Sequence, residues 1–203
     1  DADSALNLRA EAEQIAVSRG FTRQELDSVA IESHLAALRA KQEGKLAKEL
    51  FPITVPPDYE EFVKEDQCVR KNASNKLFAS FPAIKATAPS VITHGTIGLP
   101  ADGSCALLLE RTTEESELPE IVLWGSWGTP KGENPTAYAV KKICKRAGLK
   151  LEELWALELH ERSASHLMAC LQDLGHGLKQ KVNSLGGSLA LGNVPGAIML
   201  RHL

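Results

Sequence analysis

The chain has 203 residues, 43% hydrophobic and 24% charged, an ordinary globular composition for one domain or a domain with an appendage. Its net charge of −3 offers no basic footprint for nucleic acid, and no apolar run reaches the ~18 residues of a membrane span; the richest, Ile121–Trp124, stops at Gly125. Asp1–Asn7 has the pattern of neither a secretory signal nor an Arg-rich transit peptide, and the four scattered cysteines favour a reducing compartment over a disulfide framework or a zinc site.

Residues 1 to about 50 read as two helices. The first, Ala10–Val17, is short, rich in Ala and Glu, and ends at Arg19-Gly20. Thr22 caps the second, with Glu25 three residues on completing a capping box. Ile31, Leu35, Leu38 and Leu46 share one helical stripe. Prolines at 52, 56, 57, 82 and 89 make about 51–90 an extended excursion with little regular structure.

From residue 91 strand and helix signals alternate. Ser90–Ile97 and Ser104–Glu110 read as strands around Leu99–Gly103, with Asp102-Gly103 as a tight turn in which Gly103 can take positive φ at no steric cost. Glu120–Trp127 is a further strand. Pro135–Ala147 is a helix, with Asn134 as N-cap, Pro135 at its first position and Gly148 closing it. Leu154–Leu159 reads as a buried strand, His160–Leu174 as a helix, and Ala190–Leu203 as a helix after a glycine-rich turn. The alternation implies an α/β fold, a sheet with covering helices.

Trp124, Trp127 and Trp155 lie in strand-like runs, which places them in the core. Cys105 falls mid-strand, Cys144 and Cys170 on helix faces, and Cys68 in a charged loop. None has the neighbouring base or helix N-terminus that activates a thiolate, and each reads as a small buried or incidental thiol. His160 and His166 are six apart, which excludes the zinc-helix pair; the glycines form no Gly-x-Gly-x-x-Gly, and Gly125–Gly128 is no Gly-x-Ser-x-Gly.

Glu158-Leu-His-Glu161, followed by Asn183-Ser-Leu-Gly-Gly187-Ser-Leu-Ala-Leu-Gly192-Asn193-Val-Pro-Gly196, resembles the catalytic half of the thiolase family. There an acidic turn, Asn-Glu-Ala-Phe or His-Glu-Ala-Phe as in trifunctional-enzyme β subunits, opens a helix, and a Gly-Gly-x-x-x-x-Gly-His-Pro loop delivers a histidine. Ile92-Thr-His-Gly95 and Ala101-Asp-Gly103 are similar to the family's Val-Thr-Ala-Gly…Asn-Asp-Gly strand pair. Glu32-Ser-His34 through Gly44 is similar to its Ser-Gln/His helix, and Glu49–Ile53 to the Glu-Ile-x-Pro-Val after it.

The resemblance implies a thiolase-like mixed sheet covered by helices, incomplete. Residues 1–90 would be a helical loop region and 91–203 the α/β core. It implies that His160 makes an oxyanion-stabilising contact and that Glu161 orients its surroundings. Gly95, Gly187 and Gly192 would let the backbone approach a substrate closely. Asn193, in the place of the loop histidine, could support a thioester carbonyl through its amide but not activate a thiol, an oxyanion-type or vestigial catalytic position beside His160. The alternatives stay open: His160-Glu161 as a strand-to-helix cap, and Asn193 as a polar turn residue.

Four departures bear on function. The family's nucleophilic cysteine sits upstream, in a part of the fold without a counterpart here. Its second cysteine belongs to a Cys-x-Gly beyond Leu203. The loop histidine is Asn193, and Arg162-Ser163 replace the Ala-Phe pair. Two function classes compete. One is a chain that no longer catalyses and serves as a structural or CoA-recognising subunit. The other is a thiolase of fatty-acid β-oxidation whose missing groups lie in further sequence. A simple acyl-CoA carrier is a third. A coenzyme A thioester is the implied ligand, with no metal or other cofactor. Exposed sheet edge implies a homodimer or hetero-oligomeric assembly. The compartment would be the mitochondrial matrix or the cytoplasm.

Overall fold

The computed structural model describes residues 2–84, 90–111, 125 and 128–201. Helix α1 (Ala2–Arg19) is longer than its sequence pattern suggests and ends at Gly20, φ 68°. Its buried positions Leu8, Ala12 and Ala16 recur every four residues, and the two alanines let a neighbouring helix approach closely. Helix α2 (Arg23–Gln42) begins at the expected capping box, with Glu25 N donating to Thr22 Oγ1 at 3.3 Å and Thr22 N to Glu25 Oε2 at 2.8 Å.

The buried face of α2 keeps only part of the predicted stripe: Ile31 is buried and Leu38 half-buried, and Leu46, also buried, lies beyond the helix. This face runs through Leu26, Ala30, Ser33, Ala37 and Ala40, while Leu35 is exposed. Small side chains on this face bring α2 close to the C-terminal elements, and two buried residues of α2 are polar with partners of their own: Ser33 bonds Glu161 and His34 bonds Arg70.

The excursion after α2 carries more structure than its prolines suggest. Strand β1 (Ile53–Thr54) pairs antiparallel with β2 (Phe62–Val63) in the register Ile53 to Val63. Helix α3 (Asn75–Ala79), capped by Ser74, inserts the fully buried Phe78 into the core beside Ile92 and Leu26. Helix α4 (Pro135–Ala147) matches its sequence signals at both ends: Asn134 Oδ1 accepts from Ala137 N, and Gly148 is left-handed. Helix α5 (Ala164–Leu174) packs against α1, α2 and α4 through Leu167, Cys170, Leu171 and Leu174. Helices α6 (Ser188–Leu191) and α7 (Ile198–Arg201) close the chain.

Several expectations are corrected. Ser90–Ile97, Ser104–Glu110 and Leu154–Leu159 are not strands; among the described residues, isolated bridges join Thr93 to Ala83, Ile97 to Ser163, Pro100 to Asn193 and Leu157 to Val182. A strand exists only with a paired neighbour, and these runs find one at single residues or not at all. Asp102-Gly103 is therefore no hairpin turn, and Gly103 is not at positive φ. Glu120–Trp127 lies outside the described residues except Gly125. Helix α5 starts at its Ser163 cap rather than at His160. The predicted helix Ala190–Leu203 is two short helices, because Gly192 at φ 100° breaks it. Trp155 is 93% exposed rather than buried, and Cys105 is exposed outside any strand. Cys144 and Cys170 are buried on helices, as read from the sequence. No described helix is long and apolar enough to cross a membrane.

Candidate active site

Three segments are laced side by side by backbone hydrogen bonds. Residues 96–101 run through the middle. On one side Ala164 N donates to Thr96 O at 2.9 Å and Gly98 N to Arg162 O at 3.1 Å. On the other, Asn193 N donates to Leu99 O at 2.7 Å and Ala101 N to Asn193 O at 3.3 Å. This lacing draws the His160–Ser163 segment and the Gly192–Val194 loop together. Gly98 is the pinch point: a Cβ there would lie 3.3 Å from both Asn193 Cβ and Ser188 O.

The sequence-predicted pair meets directly. His160 Nε2 lies 2.8 Å from Asn193 Oδ1. An amide oxygen only accepts, so Nε2 is the donor and Nδ1 of the neutral ring keeps its lone pair. Burial pushes the His160 pKa down; the Asn193 bond opposes this and Arg162 adds to it. The imidazole is therefore held neutral.

Glu161 turns the opposite way, into the protein, and is 2% exposed. Its carboxylate accepts from Ser33 Oγ at 2.7 Å, Asn183 Nδ2 at 2.7 Å and Leu189 N at 3.3 Å. Burial pushes its pKa up, and these three donors pull against the shift. Glu161 is not a cap of α5, which starts three residues later. Its helical contacts are the Ser33 hydroxyl of α2 and a backbone N–H in the first turn of α6.

The remaining predicted glycines divide. Gly187 is part of this arrangement: its N–H donates to Ser33 Oγ at 3.1 Å, and a Cβ would collide with the Glu161 carboxylate. Gly192 faces Ala101 and the Cys68 thiol, where a Cβ would lie 3.2 Å from Sγ. Gly95 packs under the rings of Phe78 and Phe81 and donates to Thr93 Oγ1. Among the described contacts, none joins Gly95 to His160 or Asn193.

Four residues escaped sequence reasoning: Ser33, Asn183, Gly98 and Cys68. Asn183 sits at φ 47° and also bonds both the N–H and the carbonyl of Leu159, so it fixes the backbone just before His160. Ser33 precedes His34 in the Ser-Gln/His pair of α2, which was the available signal. His34 is fully buried and accepts from Arg70 N at Nδ1, 3.2 Å; burial and the Arg70 guanidinium hold its pKa down to about 4. Cys68 had no signal, because only the fold brings it to Gly192. Burial raises its thiol pKa, with Arg70 opposing and Asp66 adding. The two described cavities lie elsewhere, one of about 30 Å³ beside Ala37 and Leu191, the other of about 270 Å³ beside Arg19 and Tyr138.

Comparison with known proteins converges on one family. Residues 1–113 match the thiolase N-terminal domain and residues 122–202 the thiolase C-terminal domain. The peroxisomal 3-ketoacyl-CoA thiolase of Encephalitozoon cuniculi (strain GB-M1) is 30% identical, across 96% of this chain and 50% of that protein. A 3-ketoacyl-CoA thiolase of Shewanella sp. (strain ANA-3) is 28% identical, across 90% and 50%. The chain thus spans about half the length of these relatives. Among solved structures, the acetyl-CoA acetyltransferase of Syntrophomonas wolfei superposes with a TM-score of 0.72 at 23% identity, covering 94% of this chain and 50% of that one. The human mitochondrial 3-ketoacyl-CoA thiolase in complex with CoA gives 0.70 at 19%, covering 94% and 49%. The fold is part of a thiolase-like α/β architecture, helix-rich and with a small sheet. With both domain signatures accounting for nearly all of its residues, the chain belongs to the thiolase family.

Proposed function

We propose that this thiolase-family chain does not catalyse by itself and serves as a structural or CoA-recognising subunit of a larger assembly. One observation carries the reading: Asn193 stands where the family loop delivers a histidine, and its amide oxygen is engaged by His160. An amide can support a thioester carbonyl by hydrogen bonding, but it cannot take up and return a proton. The thiols support the same reading. Cys68 rests protonated beside Gly192, and burial pushes Cys170 up to about 12. In this account His160 and Asn193 form a polar contact for a CoA thioester, Glu161 positions the turn, and Gly187 and Gly192 admit the ligand. Four free cysteines suit a reducing compartment, the mitochondrial matrix or the cytoplasm.

A second reading is a β-oxidation thiolase completed by further sequence. It is favoured by the chain's spanning half of its relatives. Added sequence would leave Asn193 in place, which is why the first reading is preferred.

Thiolytic cleavage of acetoacetyl-CoA by the chain alone is expected to stay at background, while calorimetry reads CoA binding. Turnover that disappears on mutating one of the four cysteines would overturn the proposal. Asn193→His refines it: restored CoA-dependent turnover marks a dormant enzyme, and unchanged binding and turnover mark a scaffold.

A further inference from the structure

Ser163, Ser165 and His166 at the start of α5 meet Glu11 of α1 in a polar cluster apart from the His160–Asn193 contact. Ser163 Oγ lies 2.7 Å from His166 Nδ1 and 2.9 Å from Ser165 Oγ, and Ser165 Oγ donates to Ala12 O at 2.8 Å. His166 Nε2 is buried without a hydrogen-bond partner among the described residues and faces Glu11 Oε2 at 3.5 Å. Glu11 also pairs with Arg162 at 3.0 Å. The cluster is this chain's own, because Arg162 and Ser163 stand where the family turn has Ala-Phe. It is no Ser-His-Glu hydrolytic triad: Ser163 is fully buried and its oxygen caps α5.

The hydrogens available decide which charge state the cluster suits. Four contacts need one hydrogen each: Ser165 to Ala12 O, Ser163 to Ser165, Ser163 to Nδ1, and Nε2 to Glu11. A carbonyl only accepts, so the Ser165 hydrogen goes to Ala12 O. The Ser163–Ser165 contact then takes the Ser163 hydrogen, and the last two must come from the ring. A neutral imidazole carries one. With it on Nε2, Ser163 donates to Nδ1 and the two hydroxyl oxygens stand 2.9 Å apart with no hydrogen between them. With it on Nδ1, the Nε2 lone pair faces a carboxylate. The imidazolium serves all four contacts.

We propose that this cluster is a proton-binding latch: one proton taken up by His166 completes the chain Glu11–His166–Ser163–Ser165–Ala12 and clamps α1 to the start of α5. The chain begins and ends on α1, at two consecutive residues. Ser163 also bridges to Ile97, so the latch bears on the turn that carries His160. Among the described residues, Glu11 of α1 faces the ring, as do Arg162 and His160 of the segment before α5. Burial is the largest influence and lowers the His166 pKa; Glu11 raises it, and Arg162 and His160 lower it. The latch therefore closes on the acid side of 6.5. It does so whether or not the chain catalyses.

The test is a histidine NMR titration of the full chain, with the His166 signals assigned by their loss in His166→Gln. Glu11→Gln, at an exposed position, should lower the His166 titration by about 0.5 or more, the scale of one charge at ~4 Å in a hydrated site. Ser165→Ala should lower it by a similar amount, although serine is uncharged and has no described contact with the ring. It frees the Ser163 hydrogen for Nδ1, which relieves the neutral form. Hydrogen exchange reads the clamp. Protection of the Ala164 and Leu167 amides in wild type over Glu11→Gln should grow about threefold between neutral pH and the acid side of the titration. A titration that Glu11→Gln leaves in place overturns the proposal. So does one that Ser165→Ala leaves in place, because the hydroxyl chain then plays no part. An exchange ratio that stays constant across the titration overturns the clamp.

Discussion

Gly187→Ala tests the arrangement around Glu161 through a single methyl group. Gly187 has φ −114°, which any residue adopts, so the substitution carries no backbone strain. The cost comes from contact, because the new Cβ would occupy the position of the Glu161 carboxylate. A flexible side chain would swing aside. Glu161 is held by Ser33, Asn183 and the Leu189 N–H, and it is 2% exposed, so displacing it strips hydrogen bonds from a buried charged group. At about 1.5–3 kcal/mol for each bond to a charged group, partly recovered by relaxation, the loss should be about 3–5 kcal/mol. For a chain of this size that is about 6–20 °C in Tm. Urea denaturation and a thermal scan measure it. The double variant with Glu161→Ala should lose less than the sum of the singles, since the methyl then enters vacated space. A loss below about 1 kcal/mol for Gly187→Ala, or additivity in the double variant, would show that the carboxylate is not the obstacle.

Three further outcomes follow from the same geometry. His34, held down to about 4 against an ordinary 6.5, binds fewer protons folded than unfolded; its stabilising contribution, complete above 6.5, is lost as pH falls toward 4. The size is about 3 kcal/mol. Glu161, shifted the other way, slopes oppositely and His160 and His166 slope alike, but all three are common to wild type and His34→Gln, so the difference in their pH–stability curves isolates His34. Asn183→Ala loses its bonds to Leu159 and Glu161 and leaves alanine at φ 47°, so denaturation should show a loss of about 3 kcal/mol or more. Trp155→Ala should leave stability within about 0.5 kcal/mol by thermal scan, because the ring is 93% exposed.

The features legible in the sequence are those whose physics is local. The Thr22–Glu25 box and the Asn134, Pro135 and Gly148 signals are satisfied within a few residues, so α2 and α4 begin where the side chains say. The glycine loop and the His160-Glu161 turn were legible as a family pattern. The strands read at Ser90–Ile97, Ser104–Glu110 and Leu154–Leu159 were not, because a strand is a property of two segments: Ser104–Glu110 has the composition of one and no strand partner among the described residues. Trp155 was misplaced for the same reason, since its burial depended on a strand at Leu154–Leu159 that does not form. The contacts that define the site span 33 residues from His160 to Asn193 and 128 from Ser33 to Glu161, and no local pattern encodes such distances. Only packing α2 against α5 and α6 decides that Glu161 faces inward to Ser33 while His160 faces Asn193, because neighbouring residues of an extended segment point to opposite sides.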